Sequence, residues 1–230
     1  MRRSRAALAA GAVASAVSAV LAAPEGQANG SVLYRDGSLV AQVRAASVAL
    51  HAAPGSSRVL AVASRTTEFG SRTTFAVTGI RGRWAEVISP LLANDVDGFV
   101  RRSELKLRRV RVAIDVDLSA RRLRVWRGGA VVRWVEIAVG AASSPTPVGR
   151  FAVTDQLTGF NTSADGCCIL ALSGHQTHLP RGWTGGDRLA IHGGGGLGSA
   201  ASTGCLHAGE TDLRWLLSRV PLGTQVVIHP

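Results

Sequence analysis

From about Leu39 to Leu107 the apolar residues come in short runs separated by turn-forming residues. Val40–Val48, Val59–Ala63, Thr73–Val77, Trp84–Ile88 and Gly98–Val100 read as strands. Gly55-Ser56-Ser57, Gly70-Ser71 and Arg81-Gly82-Arg83 supply the breaks. Short strands at this spacing pack as a small barrel or sandwich. Arg108 to Arg111 reads as a basic joint, and a second strand-rich region follows. There, Val110–Asp117, Arg122–Trp126 and Val131–Val139 are the expected strands, with Gly128-Gly129 as a hairpin turn. Pro145 to Phe151 turns into another strand, Cys168–Ser173 and Leu189–His192 are short apolar strands, and Thr224–His229 closes the chain. One helix is expected, Glu210–Arg219. Leu213, Leu216 and Leu217 share a face, Glu210 and Asp212 suit its N-terminus, and Pro221 stops it.

The two ends and the charge narrow the setting. Met1-Arg2-Arg3-Ser4-Arg5 precedes an apolar run from Ala6 to Ala23, and Ala22-Ala23-Pro24 offers a cleavage region. That is the form of an export signal over residues 1–23. A retained membrane anchor is the alternative, since the run comes close to the ~20 residues a span needs. Residues 24–37 read as a flexible lead-in. The 230-residue chain carries a formal charge of +11, and losing the three signal arginines leaves +8. Its arginines are scattered in pairs, with no helix-turn-helix, zinc-finger or base-stacking pattern. Nucleic acid is therefore not the expected partner, and for an exported chain an anionic wall polymer fits the field better.

The chemistry concentrates near the C-terminus. Ile191-His192-Gly193 is followed by a Gly-rich loop and then by Ser202-Thr203-Gly204-Cys205-Leu206-His207. A cysteine attacks a carbonyl as its thiolate, and a nearby histidine can take the proton and return it to a leaving amine. Glycine before the cysteine allows a tight turn that aims backbone N–H groups at one point, as an oxyanion requires.

These residues resemble the L,D-transpeptidases with a YkuD-type catalytic domain, which carry His-Gly, a linker and Ser-x-Gly-Cys-[Ile/Leu/Val]-Arg. Thr146-Pro147-Val148-Gly149-Arg150-Phe151 is similar to the family's Thr-Pro-x-Gly-x-Phe. Pro221-Leu222-Gly223-Thr224-Gln225-Val226-Val227-Ile228 resembles its closing Gly-Thr-x-Val-x-Ile strand. The resemblance runs over residues 110–230. It implies a β-sandwich catalytic domain acting on peptidoglycan stem peptides, with Cys205 as nucleophile and His192 as base. Gly193 and Gly204 would orient the histidine and form the oxyanion site, the latter together with the Cys205 amide. Ser202, Thr203, His207 and His175 would meet substrate. No metal or organic cofactor is implied, and carbapenem-type inhibitors are expected to acylate the cysteine. Water as acceptor would make the enzyme an L,D-carboxypeptidase, and a decayed site would leave a wall-binding protein. Upstream, Gly82-Arg83-Trp84-Ala85-Glu86-Val87 and Gly98-Phe99-Val100 resemble a bacterial SH3-like domain, expected over residues 38–108.

His207 departs from the family pattern, where arginine is usual. Histidine is shorter and titrates near neutrality, so a positive charge there is not assured. His175-x-x-His178 has metal-like spacing but no carboxylate set beside it. Cys167 and Cys168 are adjacent, a strained arrangement for a bridge, and one is expected to be a small buried residue.

Overall fold

The computed structural model describes residues 32–162 and 166–230. The signal expected over residues 1–23 lies outside the described residues. Among the described residues no helix is long and apolar enough to cross a membrane. Among the described residues the fold is mainly β, with two sheets and one helix of ten residues.

The first sheet holds β1 (Ser38–Val43), β2 (Ser47–His51), β3 (Val59–Ser64), β4 (Thr74–Arg81), β5 (Trp84–Ile88), β6 (Gly98–Arg101) and β7 (Leu105–Val110). Its spatial order is β3-β2-β6-β5-β4-β1-β7, and every pairing is antiparallel. Val43, Leu50, Phe75, Val87 and Val100 face inward and form its core. Two expectations are corrected here. The apolar run Val40–Val48 is two strands, bent at Arg44–Ala46 because the Arg65 guanidinium donates to the carbonyls of Arg44 (2.5 Å) and Ala45 (3.0 Å). The basic joint shrinks to Arg111, which links β7 to β8, while Arg108 and Arg109 lie in β7 and pair with Val40 and Leu39 of β1. Charged side chains on such an edge strand discourage pairing with another chain.

The second sheet holds β8 (Val112–Asp117), β9 (Arg122–Arg127), β10 (Ala130–Gly140), β11 (Gly149–Thr162), β12 (Gly166–His175), β13 (Arg188–His192), β14 (Ala200–Ser202), β15 (Leu206–Ala208) and β16 (Gln225–His229). The order is β14-β10-β15-β13-β12-β11-β16-β8-β9, and a β9–β10 pairing closes the ring. Gly128 (φ 58°) and Gly129 (φ 88°) make that hairpin, since two consecutive left-handed residues match the strand twist. Helix α1 (Glu210–Arg219) lays Leu213 and Leu216, both fully buried, into the same core as Ile137, Leu170 and Ile191. A helix this short is not stable alone. Burying the two leucines contributes roughly 1.5–3 kcal/mol each and holds it in place.

The sheets share a packed seam. Val40 joins the larger core, Ala76 and Ile88 pack on Ala152, and Gln225 Nε2 donates to Val77 O (3.1 Å). The end of the lead-in is docked rather than loose. Residues 32–36 form a helical turn in which Tyr34 stacks on Trp126 and donates to the buried Asp115 carboxylate (2.6 Å). Burial first, and then Asp115, push the Tyr34 phenol pKa well above its ordinary value. Cys167 and Cys168, whose adjacency makes a bridge strained, are joined in a disulfide, and both lie in the core. Cys205 is the thiol outside that bridge.

Candidate active site

Strand pairing assembles the site. β13 and β15 run parallel, with Ile191 opposite Leu206 and His192 opposite His207. Side chains alternate along a strand. Leu189, Ile191 and Leu206 therefore enter the core, while Ala190, His192, Cys205 and His207 face the other way together. They floor an open cleft of about 480 Å3. The His192 and His207 rings lie 4.9 Å apart, tilted by 55°. Cys205 Sγ lies 3.9 Å from the Arg188 carbonyl.

The turn that presents Cys205 is tied down from several sides. Gly204 sits at φ +119°, and a Cβ there would run into the Gln176 side-chain amide. Only glycine suits this position. Ser202 Oγ donates to Cys205 O (2.5 Å) and accepts from Gly204 N (3.0 Å). Thr146 Oγ1 donates to Gly204 O (2.9 Å) and accepts from Gly140 N (2.8 Å). Gln176 Nε2 faces the carbonyls of Ser144 (3.3 Å), Pro145 (3.0 Å) and Thr203 (3.1 Å), while its Oε1 accepts from His178 N (2.9 Å).

The expected residues thus fall into different places. His192, Cys205, His207 and Thr203 line the cleft. Gly193 is buried directly behind His192, close to Gly166. Ser202 is buried, and its hydroxyl is engaged within the turn, so it braces the loop. The Gly204 N–H donates to Ser202 Oγ. His175 stands at the seam, its ring nitrogens facing Asp187 Oδ2 (3.0 Å) and Pro90 O (2.9 Å). His207 Nδ1 faces Gly195 O (2.9 Å) and so fixes the Gly-rich loop beside His192. His178 Nδ1 faces Thr177 Oγ1 (3.0 Å), and among the described residues no three potential ligands gather as a metal would need. Sequence reasoning missed Gln176, and it missed Leu179 and Trp183, which wall the cleft from the 176–187 loop.

The catalytic-domain model of the YkuD L,D-transpeptidases matches residues 111–228. The chain belongs to this family. Curated protein sequences gave no match. Among solved structures, an L,D-transpeptidase from Xylanimonas cellulosilytica is 25% identical over 51% of this chain and 60% of its own, with a TM-score of 0.38. L,D-transpeptidase 3 from Mycobacterium tuberculosis, in complex with a faropenem-derived adduct, is 19% identical over 57% and 66%, with a TM-score of 0.41. A Bdellovibrio bacteriovorus protein is 21% identical over 52% and 48%, with a TM-score of 0.42. The chain spans about half to two thirds of the length of these proteins.

Proposed function

We propose that the chain is an L,D-transpeptidase that acts on peptidoglycan stem peptides through a thioester on Cys205. The observation that carries the reading is the shared cleft face of His192 on β13 and Cys205 in the braced turn that leads into β15, the strand paired with β13. His192 takes the thiol proton as sulfur bonds to the carbonyl carbon of the stem diamino acid. Negative charge gathers on the carbonyl oxygen, against the Cys205 main-chain N–H. The C–N bond then breaks, and His192 returns the proton to the departing D-Ala amine. An amine from a second stem attacks the thioester, the C–S bond breaks, and Cys205 recovers its proton through His192. His207 extends the polar face toward the donor stem. The first sheet, in which the Trp84–Val87 part of the Gly-x-Trp-x-x-Val segment on β5 pairs with the Gly-Phe-Val segment on β6, serves as an SH3-like wall-facing unit. The setting is the cell wall of an exported protein.

The test is incubation with a disaccharide-tetrapeptide, followed by mass spectrometry. Loss of D-Ala with a cross-linked dimer supports transfer. Loss of D-Ala without a dimer identifies water as the acceptor and an L,D-carboxypeptidase. No product from folded wild-type protein overturns the enzymatic reading and leaves wall binding. A carbapenem gives a second readout, one stable adduct on the peptide containing Cys205.

A further inference from the structure

The loop of residues 176–187 joins β12 to β13 and walls the cleft with Leu179 and Trp183. It contains Gly182, Gly185 and Gly186, so its own backbone restrains it little. Inside it, Trp183 N–H donates to Pro180 O (3.0 Å) and Trp183 Nε1 to Gly186 O (3.0 Å). Its stems are tied to each other through Gln176 N and Asp187 O (2.6 Å), Gln176 is held by Ser144, Pro145 and Thr203, and both stems are in addition gripped by loops of the first sheet.

At the first stem, the His175 main chain and the Asn94 side chain exchange two hydrogen bonds. His175 N donates to Asn94 Oδ1 (2.9 Å), and Asn94 Nδ2 donates to His175 O (2.8 Å). The His175 ring reaches Pro90 O (2.9 Å) and, on its other side, Asp187 at the second stem (3.0 Å). At that second stem Arg188 NH1 pairs with Glu68 (2.6 Å). Its other nitrogens donate to Leu172 O (2.6 and 3.0 Å) and Thr154 Oγ1 (2.8 Å). The Arg188 carbonyl is also the group 3.9 Å from Cys205 Sγ. One residue thus grips the first sheet with its side chain and faces the sulfur with its main chain. Other polar links cross between the sheets, such as Gln225 Nε2 to Val77 O and Arg150 to Asp97 (3.7 Å), but those at Asn94, Pro90 and Glu68 fall on the two stems of this one loop.

We propose that the first sheet sets the shape of the catalytic cleft by clamping both stems of the 176–187 loop, with His175 and Arg188 as positioning residues gripped by Asn94 and Glu68. The proposal rests on Cys205 being the nucleophile. It is tested on the full chain with Asn94→Ala, Glu68→Ala and the double variant. Three readouts apply: amide exchange of residues 176–187, acylation of Cys205 by meropenem, and alkylation of Cys205 by iodoacetamide. A small alkylating agent needs only access, whereas the carbapenem needs the shaped cleft. The double variant should exchange the loop amides faster while β8 and β16 keep their protection. It should also acylate about tenfold more slowly, since small misplacements cost large factors, with alkylation undiminished. Wild-type exchange in the loop, with both reactions unchanged, would overturn the clamp. Equal slowing of both reactions with exchange rising everywhere would also overturn it, as general destabilisation. If the wild type resists meropenem, the nucleophile assignment fails, and exchange and alkylation still decide the clamp.

Discussion

Gln176 is the side chain on which the cysteine turn depends most, and its replacement gives a quantitative expectation. It is 5% exposed, and its amide nitrogen faces three carbonyls. An NH2 group has two hydrogens, so it satisfies two of the three at once. Gln176→Met keeps the length of the side chain and removes both donors. Leaving a buried acceptor without its partner costs about 1–3 kcal/mol. Two such losses, partly offset by apolar burial of the thioether, predict about 2–4 kcal/mol of destabilisation in urea unfolding. Gln176→Glu is the sharper variant, because a carboxylate only accepts and would face three carbonyl oxygens. The folded state then favours the protonated acid, so the variant's pKa rises above the unfolded value of about 4.3. A raised folded pKa contributes stability at low pH and loses it as pH rises through that window. The Glu variant should therefore be less stable than the Met variant at pH 7, and the gap should close toward pH 4. Because Thr203 O is held by Gln176 and Gly204 follows it, both variants should acylate more slowly. A Gln176→Glu protein with wild-type stability at pH 7 would refute the reasoning.

Cys205→Ala and His192→Ala should each abolish product formation in the tetrapeptide assay while circular dichroism stays unchanged, and the double variant should lose no more than either single one. Thiol titration of the denatured, unreduced chain should count one sulfhydryl, rising to three after reduction; three before reduction would exclude the Cys167–Cys168 bridge. Tyr34→Phe should cost about 1.5–3 kcal/mol by removing the bond to the Asp115 carboxylate, measured by denaturant unfolding. Since the folded Tyr34 phenol titrates above its unfolded value of about 10, the wild type should lose stability as pH climbs past 10, and the Phe variant should lose less there.

The residues that line the cleft were legible because their signals are local. His192-Gly193 and Ser202 to His207 each occupy a few residues, and helix Glu210–Arg219 announces itself by leucine spacing and a following proline. What escaped reading depends on distant partners. The break inside Val40–Val48 has no glycine or proline and is held by Arg65, just past the end of β3. β14 and β15 are three residues each, too short to show alternation. Thr146 was visible as part of a pattern, but nothing in the chain tells that its hydroxyl holds Gly204 O. Gln176 is one glutamine in a loop and carries no pattern at all. Ser202 stood out only through the resemblance, and nothing local tells that its hydroxyl bonds the Cys205 carbonyl and the Gly204 amide.

The place of β16 bears on how the molecule comes into being. It lies between β11 and β8, parallel to β8, so Val226 pairs with Ile114 about 110 residues earlier along the chain. Closing so long a loop is entropically slow, and it cannot begin until the last strand exists. Before then His192 and Cys205 are already synthesised, yet β8 and β11 present open edges to any neighbouring chain. The interval between making the nucleophile and inserting β16 is when this protein is most exposed to aggregation, and a chaperone that shields β8 and β11 would act there.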